Sequence, residues 1–304
     1  MINQTMKKRI LMPMLLGYAL TAHVAHADSS RHHVKHDKAL RASVLGSASS
    51  PRLRSNIAFI YDEQTQLPVY DKNSRTVAPI ASISKLMTAM VVLDAMLPLD
   101  EEVSVDSADL DRIKGTRSRL QVGMTFTRNE LLKLALMASE NRAASALARS
   151  YPGGKAAIVA AMNAKASELG MQDTRFLDPT GLSRGNVSTA QDLVKMVAAA
   201  RNYDLIRRYT TSTTHSVDGW GGRELRFNNT NPLIRSASWD IGVSKTGYIS
   251  EAGLCLVMEA KINERPVIIV LLNSWGKRTR VGDANRIKKW MESAYARGRN
   301  LRQG

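Results

Sequence analysis

The chain has 304 residues, 44% hydrophobic and 23% charged, so it is long enough to bury the core of one large domain or two small ones. Aromatic residues make up only 5%, which argues against recognition of sugars or bases by stacking, and the formal charge of +16 calls for an anionic neighbour. A single cysteine, Cys255, excludes an internal disulfide.

Residues 1–27 read as an export signal. Lys7, Lys8 and Arg9 form a cationic start, Ile10 to Ala22 a short apolar run, and Ala25-His26-Ala27 a small-x-small cleavage site before Asp28. The apolar run is too short for a membrane span, the competing interpretation. Cleavage after Ala27 removes three cations and no acid, which leaves a mature charge of +13. An exported basic chain in the periplasm meets the acidic groups of the envelope, not nucleic acid. Residues 28–50, rich in Ser, Ala, His and basic groups without periodicity, are expected to be a flexible linker, followed by one domain over 51–299 and a tail at 300–304.

Asn56 to Tyr61 and Leu67 to Tyr70 read as strands joined by the polar turn Asp62–Gln66. Ile80 to Met96 is helical and apolar nearly all round, as a helix buried on most sides must be. Short helices follow at Asn129–Ala138 and Asn141–Arg149. An amphipathic helix covers Ala156–Leu169 and stops at Gly170. Asp178-Pro179-Thr180-Gly181 is a turn, and Thr189 caps a helix through Ala200 with Asp192 in its first turn. The period then switches to two: Tyr209–Val217, Glu224–Asn228, Gly242–Tyr248, Leu254–Lys261 and Pro266–Asn273 are candidate strands, and Arg280–Ala296 closes the chain as a basic helix. The order predicts an α+β (α/β) domain: an antiparallel five-stranded sheet flanked by helices, with a helical subdomain inserted. Cys255, inside a predicted strand, is expected to be a buried small hydrophobe.

Histidine constrains the chemistry. Five of six lie before residue 37, which leaves His215 for any Ser-His-Asp triad; zinc would lack partners, and neither HExxH nor paired-Cys spacing occurs. No metal or cofactor is expected. A lysine can replace histidine as the base of a serine nucleophile if it is neutral. Ser82-Ile83-Ser84-Lys85 offers this arrangement at the start of the apolar helix. Lys85 lies one turn on, on the same face as Ser82. Burial and a second cation, Lys245, would both depress its pKa. The unpaired N–H groups of a helix start suit an oxyanion. Ser139-Glu140-Asn141 lies at a helix junction, where Ser139 is either a proton relay to a leaving amine or a plain N-cap, and Asn141 could hold a substrate amide. On a predicted strand, Lys245 and Thr246 could dock a carboxylate, with Gly247 admitting close backbone approach. A second SxxK, Ser274–Lys277, follows a strand, has Gly before its lysine, and is taken as coincidental.

The ordered set SxxK, SxN and KTG resembles the penicillin-binding proteins and class A β-lactamases. The wording around it, Pro79 to Thr88, Asp178-Pro179-Thr180-Gly181-Leu182, Ser188-Thr189-Ala190 and Lys245 to Tyr248 with Glu251-Ala252-Gly253, resembles the low-molecular-mass penicillin-binding serine D-Ala-D-Ala peptidases, over roughly residues 55–295. That likeness implies a β-lactamase/transpeptidase-like fold. Ser82 would form the acyl-enzyme and Lys85 serve as its base. Ser139 and Asn141 would line the site, and Lys245 and Thr246 would hold the carboxylate. The backbone N–H groups of Ser82 and Tyr248 would make the oxyanion hole. Partners would be peptidoglycan peptides, with β-lactam antibiotics as covalent inhibitors.

β-Lactamases of this motif order carry Glu-x-x-Leu-Asn between SxN and KTG; the nearest match, Glu224 to Asn228, has Phe227 for Leu and reads as a strand. The short stretch after Gly247 resembles the D-alanyl-D-alanine endopeptidases of the penicillin-binding protein 7 type, which cut D-alanyl–diaminopimelate cross-links. The alternative is a DD-carboxypeptidase removing terminal D-Ala from pentapeptides. A second alternative, from a different class, is a non-hydrolytic peptidoglycan-binding envelope protein. The basic terminal helix around Arg286, Lys288 and Lys289 is a candidate for peripheral membrane contact, with a plain solvated helix as the duller expectation.

Overall fold

The structure, a computed structural model, describes residues 50–303. The predicted signal and nearly all of the lead-in lie outside the described residues. Among those described, no helix is long and apolar enough to cross a membrane.

Five antiparallel strands form the main sheet: β1 (Ile57–Asp62), β2 (Leu67–Lys72), β9 (Asp240–Ile249), β10 (Gly253–Ile262) and β11 (Arg265–Ser274), in the order β2-β1-β11-β10-β9. The predicted five-stranded antiparallel sheet is therefore present, with both chain ends of the domain contributing to it; the short pairs β3 (Ala78–Pro79) with β6 (Val187–Ser188) and β4 (Glu102–Ser104) with β5 (Thr125–Thr127) lie outside it. Its inner strands are buried on both faces, which explains why Val267 to Leu272 is an unbroken apolar run. One face (Ile57, Phe59, Cys255, Val257, Ile268, Val270) joins the core shared with the helical subdomain. The other (Ala58, Ile60, Leu256, Met258, Ile269, Leu271) is covered by Ala284, Ile287 and Met291 of the terminal helix. Cys255 is buried as expected, and burial pushes its thiol up to about 11.

The inserted subdomain holds α1 (Lys85–Asp94), α2 (Arg128–Met137), α3 (Asn141–Arg149) and α4 (Gly154–Glu168). Every residue of α1 from Lys85 to Val92 is buried, as its lack of a polar face required. The expected single helix from Ile80 begins instead as a 3₁₀ turn, Ala81–Ser84, and becomes α-helical at Lys85. Thr127 and Glu130 form a capping box that starts α2: Glu130 N–H donates to Thr127 Oγ1 at 3.2 Å and Thr127 N–H to Glu130 Oε2 at 2.9 Å. Helix α5 (Ala190–Ala200) packs on the sheet, and Thr189 Oγ1 accepts from Asp192 N–H at 3.2 Å, the cap read from the sequence.

Two further expectations need correction. Tyr209–Val217 is not one strand. Asp204–Thr210 is α6, and β7 (Thr214–Asp218) pairs with β8 (Glu224–Asn228) as a separate hairpin. Ile206 and Tyr209, three residues apart, pack as one helix face, and this outweighs the β-branched threonines that follow. The terminal helix, α7 (Thr279–Gln303), runs past the predicted end at Ala296 and takes in most of the predicted 300–304 tail; good helix formers such as Ala296, Arg297 and Leu301 offer no stop.

Candidate active site

Ser82 sits on the 3₁₀ turn beneath the sheet's edge strand. Its position is shaped from three sides. First, Ala81 has φ +50, a left-handed backbone uncommon for a residue with a side chain, at the junction between Ile80 and the turn. Second, Gly247 of β9 has no Cβ, and one added there would meet Ile80 O at 2.9 Å and Ser82 N at 3.0 Å. The close approach that Gly247 permits is thus between the strand and the Ile80–Ser82 turn of the chain itself, where the sequence suggested approach by a substrate. Third, the loop Asp178–Ser183 closes from below. Asp178 Oδ1 accepts the N–H groups of Thr180 (2.7 Å) and Gly181 (2.9 Å), and Oδ2 accepts that of Ser183 (2.8 Å). Asn186 Nδ2 binds this loop to Ser84 through Ser84 Oγ at 2.9 Å and Asp178 O at 2.7 Å. The loop is thereby held with the Thr180 carbonyl facing the first turn of α1.

Lys85 is 1% exposed. Its Nζ lies 2.9 Å from Ser82 Oγ, 2.7 Å from Asn141 Oδ1 and 2.6 Å from Thr180 O. Burial pushes its pKa down to about 8, against the carboxylates of Asp178, Glu140 and Asp111, which favour the charged form. The geometry has a chemical consequence. A charged ammonium donates to all three neighbours. A neutral amine keeps two N–H groups, and both carbonyl oxygens can only accept. The lone pair then falls toward Ser82 Oγ, whose hydrogen it can take.

Lys245, also 1% exposed, donates to Ser139 Oγ and to Thr246 O, each at 2.8 Å. Burial, Lys85 and Arg280 hold its pKa well below the usual lysine range. The sequence expected mutual repulsion of the two lysines to help depress Lys85; here it is Lys245 on which that repulsion tells. Ser139 does not cap α3; Glu140 does, by accepting from Arg142 N–H. Ser139 instead adopts φ +59 and turns its hydroxyl to Lys245. Asn141 spans the cleft floor, accepting from Lys85 and donating Nδ2–H to Thr116 Oγ1 at 2.9 Å. Thr246 Oγ1 donates to Thr230 Oγ1 at 2.6 Å.

Strand β9 is the edge of the sheet, so its outer backbone groups face the cleft without a strand partner. Tyr248 lies on it with its side chain 61% exposed. The first hydrogen bond of the 3₁₀ turn is Ile83 N–H to Ile80 O (3.2 Å), which leaves the N–H of Ser82 ahead of that bond. Arg280 of α7 fixes the strand from behind, donating to Gly247 O (2.9 Å) and Cys255 O (3.0 Å).

The residues that the resemblance assigned to the site, Ser82, Lys85, Ser139, Asn141, Lys245, Thr246, Gly247 and Tyr248, converge here. His215 does not; it lies on β7 opposite Phe227. Ser274 of the second SxxK is bonded to Ser55 Oγ at 2.7 Å, in a structural network with Asp283. Among the described residues no cluster of His, Cys, Asp or Glu could hold a metal. Thr116, Thr180, Thr230 and Arg280 were not singled out. Thr180 lies in the Asp178–Leu182 wording, but its carbonyl carries the contact, and side-chain patterns do not register backbone atoms.

Comparison with known proteins gives the family. Residues 45–276 match the family of D-alanyl-D-alanine carboxypeptidases. A D-alanyl-D-alanine endopeptidase of Pseudomonas aeruginosa is 48% identical over 242 residues, 79% of this chain and 78% of its own. The D-alanyl-D-alanine endopeptidase of Escherichia coli K12 is 47% identical over 257 residues, 83% and 82% of the two chains. The crystal structure of the Streptomyces K15 DD-transpeptidase superposes with a TM-score of 0.74 at 28% identity, over 82% of this chain and 99% of that one. By these matches the chain belongs to the D-alanyl-D-alanine carboxypeptidase family of serine-type D-Ala-D-Ala peptidases.

Proposed function

We propose that the protein is a peptidoglycan DD-endopeptidase that cleaves D-alanyl–diaminopimelate cross-links through an acyl-enzyme on Ser82, and that β-lactams acylate the same serine. The contact that carries the chemistry is Lys85 Nζ to Ser82 Oγ at 2.9 Å, with Asn141 Oδ1 and Thr180 O occupying the other directions of the amine. Lys85 takes the serine proton as Oγ attacks the D-alanyl carbonyl. The backbone N–H groups of Ser82 and Tyr248 receive the developing oxyanion. Ser139 passes a proton to the leaving amine, and water then releases the acyl group. Lys245 receives the carboxylate beside the scissile bond, joined by the Thr246 hydroxyl once it turns its hydrogen from Thr230, while the second Nδ2 hydrogen of Asn141 meets a substrate carbonyl. A bound carboxylate favours a charged Lys245, and that charge in turn favours a neutral Lys85, so substrate binding promotes the reactive protonation state.

Acylation therefore rises with pH. Lys85 acts only when neutral, and the neutral fraction grows as pH climbs through about 8. Between pH 7 and pH 6 the acylation rate by benzylpenicillin should fall roughly tenfold. A rate independent of pH from 6 to 8 contradicts Lys85 as the base.

Choice of the cross-link as substrate rests on the Pseudomonas and Escherichia relatives, both named D-alanyl-D-alanine endopeptidases and matched over most of their length. The purified protein should be given cross-linked dimers and pentapeptide monomers together, with Ser82→Ala as control, and the products followed by mass spectrometry. Conversion of dimers to monomers without free D-alanine is expected. Release of D-alanine with dimers untouched makes the protein a carboxypeptidase instead. We further infer export to the periplasm with cleavage after Ala27, so that amino-terminal sequencing of the mature protein should begin at Asp28.

A further inference from the structure

Asn141 is an amide with two unlike ends, and only one orientation serves the lysine. With Oδ1 toward Lys85 it takes an N–H at 2.7 Å and leaves the lone pair to Ser82. Turned over, its Nδ2–H would engage the lone pair that Ser82 needs. A device must select between the two. On the far side of the amide, Nδ2 donates to Thr116 Oγ1 at 2.9 Å. A hydroxyl by itself does not select, because it donates or accepts with equal ease. The hydrogen of Thr116, however, is committed: Oγ1 donates to Asp111 Oδ2 at 2.6 Å. Asp111 also accepts the backbone N–H groups of Ile113 (2.8 Å), Lys114 (2.9 Å) and Thr116 (2.9 Å). Its burial opposes the charge, yet these bonds prevail and hold its carboxyl below the usual range, so it acts as acceptor only.

The donors thus run one way, from Ser82 to neutral Lys85, Lys85 to Asn141, Asn141 to Thr116 and Thr116 to Asp111. Resting on the reading of Ser82 as nucleophile, we propose that Thr116 is a positioning residue for acylation: Asp111 fixes its hydroxyl, the hydroxyl selects the orientation of the Asn141 amide, and the amide aims the Lys85 lone pair at Ser82. The loop carrying Thr116 is braced at its tip, where Lys114 Nζ meets Glu251 Oε1 at 2.5 Å, joining it to the turn between β9 and β10. Neither Thr116 nor Asp111 touches the reacting atoms.

The test is acylation by benzylpenicillin, followed as a pH–rate profile, in the wild type, Thr116→Val, Thr116→Ser, Asn141→Ala and the Asn141→Ala/Thr116→Val double variant. Valine keeps the shape of threonine without the acceptor, at an exposed position where it leaves the fold undisturbed. Thr116→Val should lower the plateau rate about tenfold, the loss of one oriented hydrogen bond. Thr116→Ser should restore it. In the Asn141→Ala background Thr116→Val should change nothing further, since the amide it orients is gone. Asp111→Asn should lower the plateau likewise. It should also move the acid limb to lower pH, because of the groups facing Lys85 (Asp178, Glu140, Asp111 and Lys245) it removes one that favours the charged form. A Thr116→Val variant that reacts at the wild-type rate overturns the proposal, as does one equally harmful with and without Asn141. Wild-type protein that is not acylated at all, or is still labelled after Ser82→Ala, sinks the reading of Ser82 itself and the proposal with it.

Discussion

Lys85→Ala is expected to lower acylation of Ser82 by about a thousandfold or more, the upper part of the range for losing a positioned general base. No other basic group stands in its place: among the described residues, the bonds of Ser82 Oγ run to Lys85 Nζ and, at 3.4 Å, to the Thr180 carbonyl, an amide oxygen too weakly basic to take the serine proton. Lys245 is turned to Ser139 and Thr246. The loss should be one of chemistry and not of folding, since burial already works against the charged form of Lys85 and its removal deprives the fold of no favourable charge. Lys85→Met, which fills the same space, separates the two effects: it should melt like the wild type and still fail to label with fluorescent penicillin. Labelling of Lys85→Met at the normal rate would falsify the assignment of Lys85 as base.

Gly181→Ala is expected to disable the protein through its backbone. Gly181 has φ +81, and a Cβ there would stand 2.1 Å from Ala81 O and 2.8 Å from Ser82 N. Both obstacles are main chain, so neither can swing aside. Either the Asp178–Ser183 loop retreats, taking the Thr180 carbonyl from Lys85, or the 3₁₀ turn shifts and moves Ser82. We expect a stability loss of about 2 kcal/mol or more from overpacking and left-handed strain together. That corresponds to a melting temperature lower by roughly 5 °C. The acylation rate should fall more than tenfold. Gly170→Ala is the matched control. Gly170 has φ +69 but open space around its would-be Cβ, so it should bear only the conformational cost and keep its acylation rate. Equal rates in Gly181→Ala and Gly170→Ala would show that contact between the loop and the nucleophile turn is dispensable.

The two variants probe different layers of what the primary structure encodes. Lys85 was legible because its chemistry is written in side chains at a fixed helical spacing: i and i+3 share a face whatever surrounds them. The burial that lowers its pKa was legible too, since Leu86 to Leu93 leaves α1 no polar face. The same holds for the sheet. Strands with apolar residues on both faces have to be internal, and β10 and β11 are. Alternation also identified β9, with Lys245 on it.

Other features depended on contacts between distant segments. Gly181 appeared in the sequence as part of a turn, and its reason for being glycine lies about a hundred residues away, at Ala81. Thr116 belongs to no motif; its hydroxyl matters because the loop from α1 to α2 brings it to Asn141. Thr180 acts through a carbonyl, which every residue possesses. The end of α6, Tyr209 and Thr210, was misread as strand because local propensity favoured the threonines that follow, whereas packing of Ile206 and Tyr209 decided the outcome. The amino-acid sequence alone thus determined the residue types of the site and the faces they occupy, because periodicity and i, i+3 spacing are local properties of the chain. Which carbonyl, glycine and hydroxyl complete that site was decided by tertiary structure, because backbone proximity and hydrogen-bond direction exist only once distant segments are packed together.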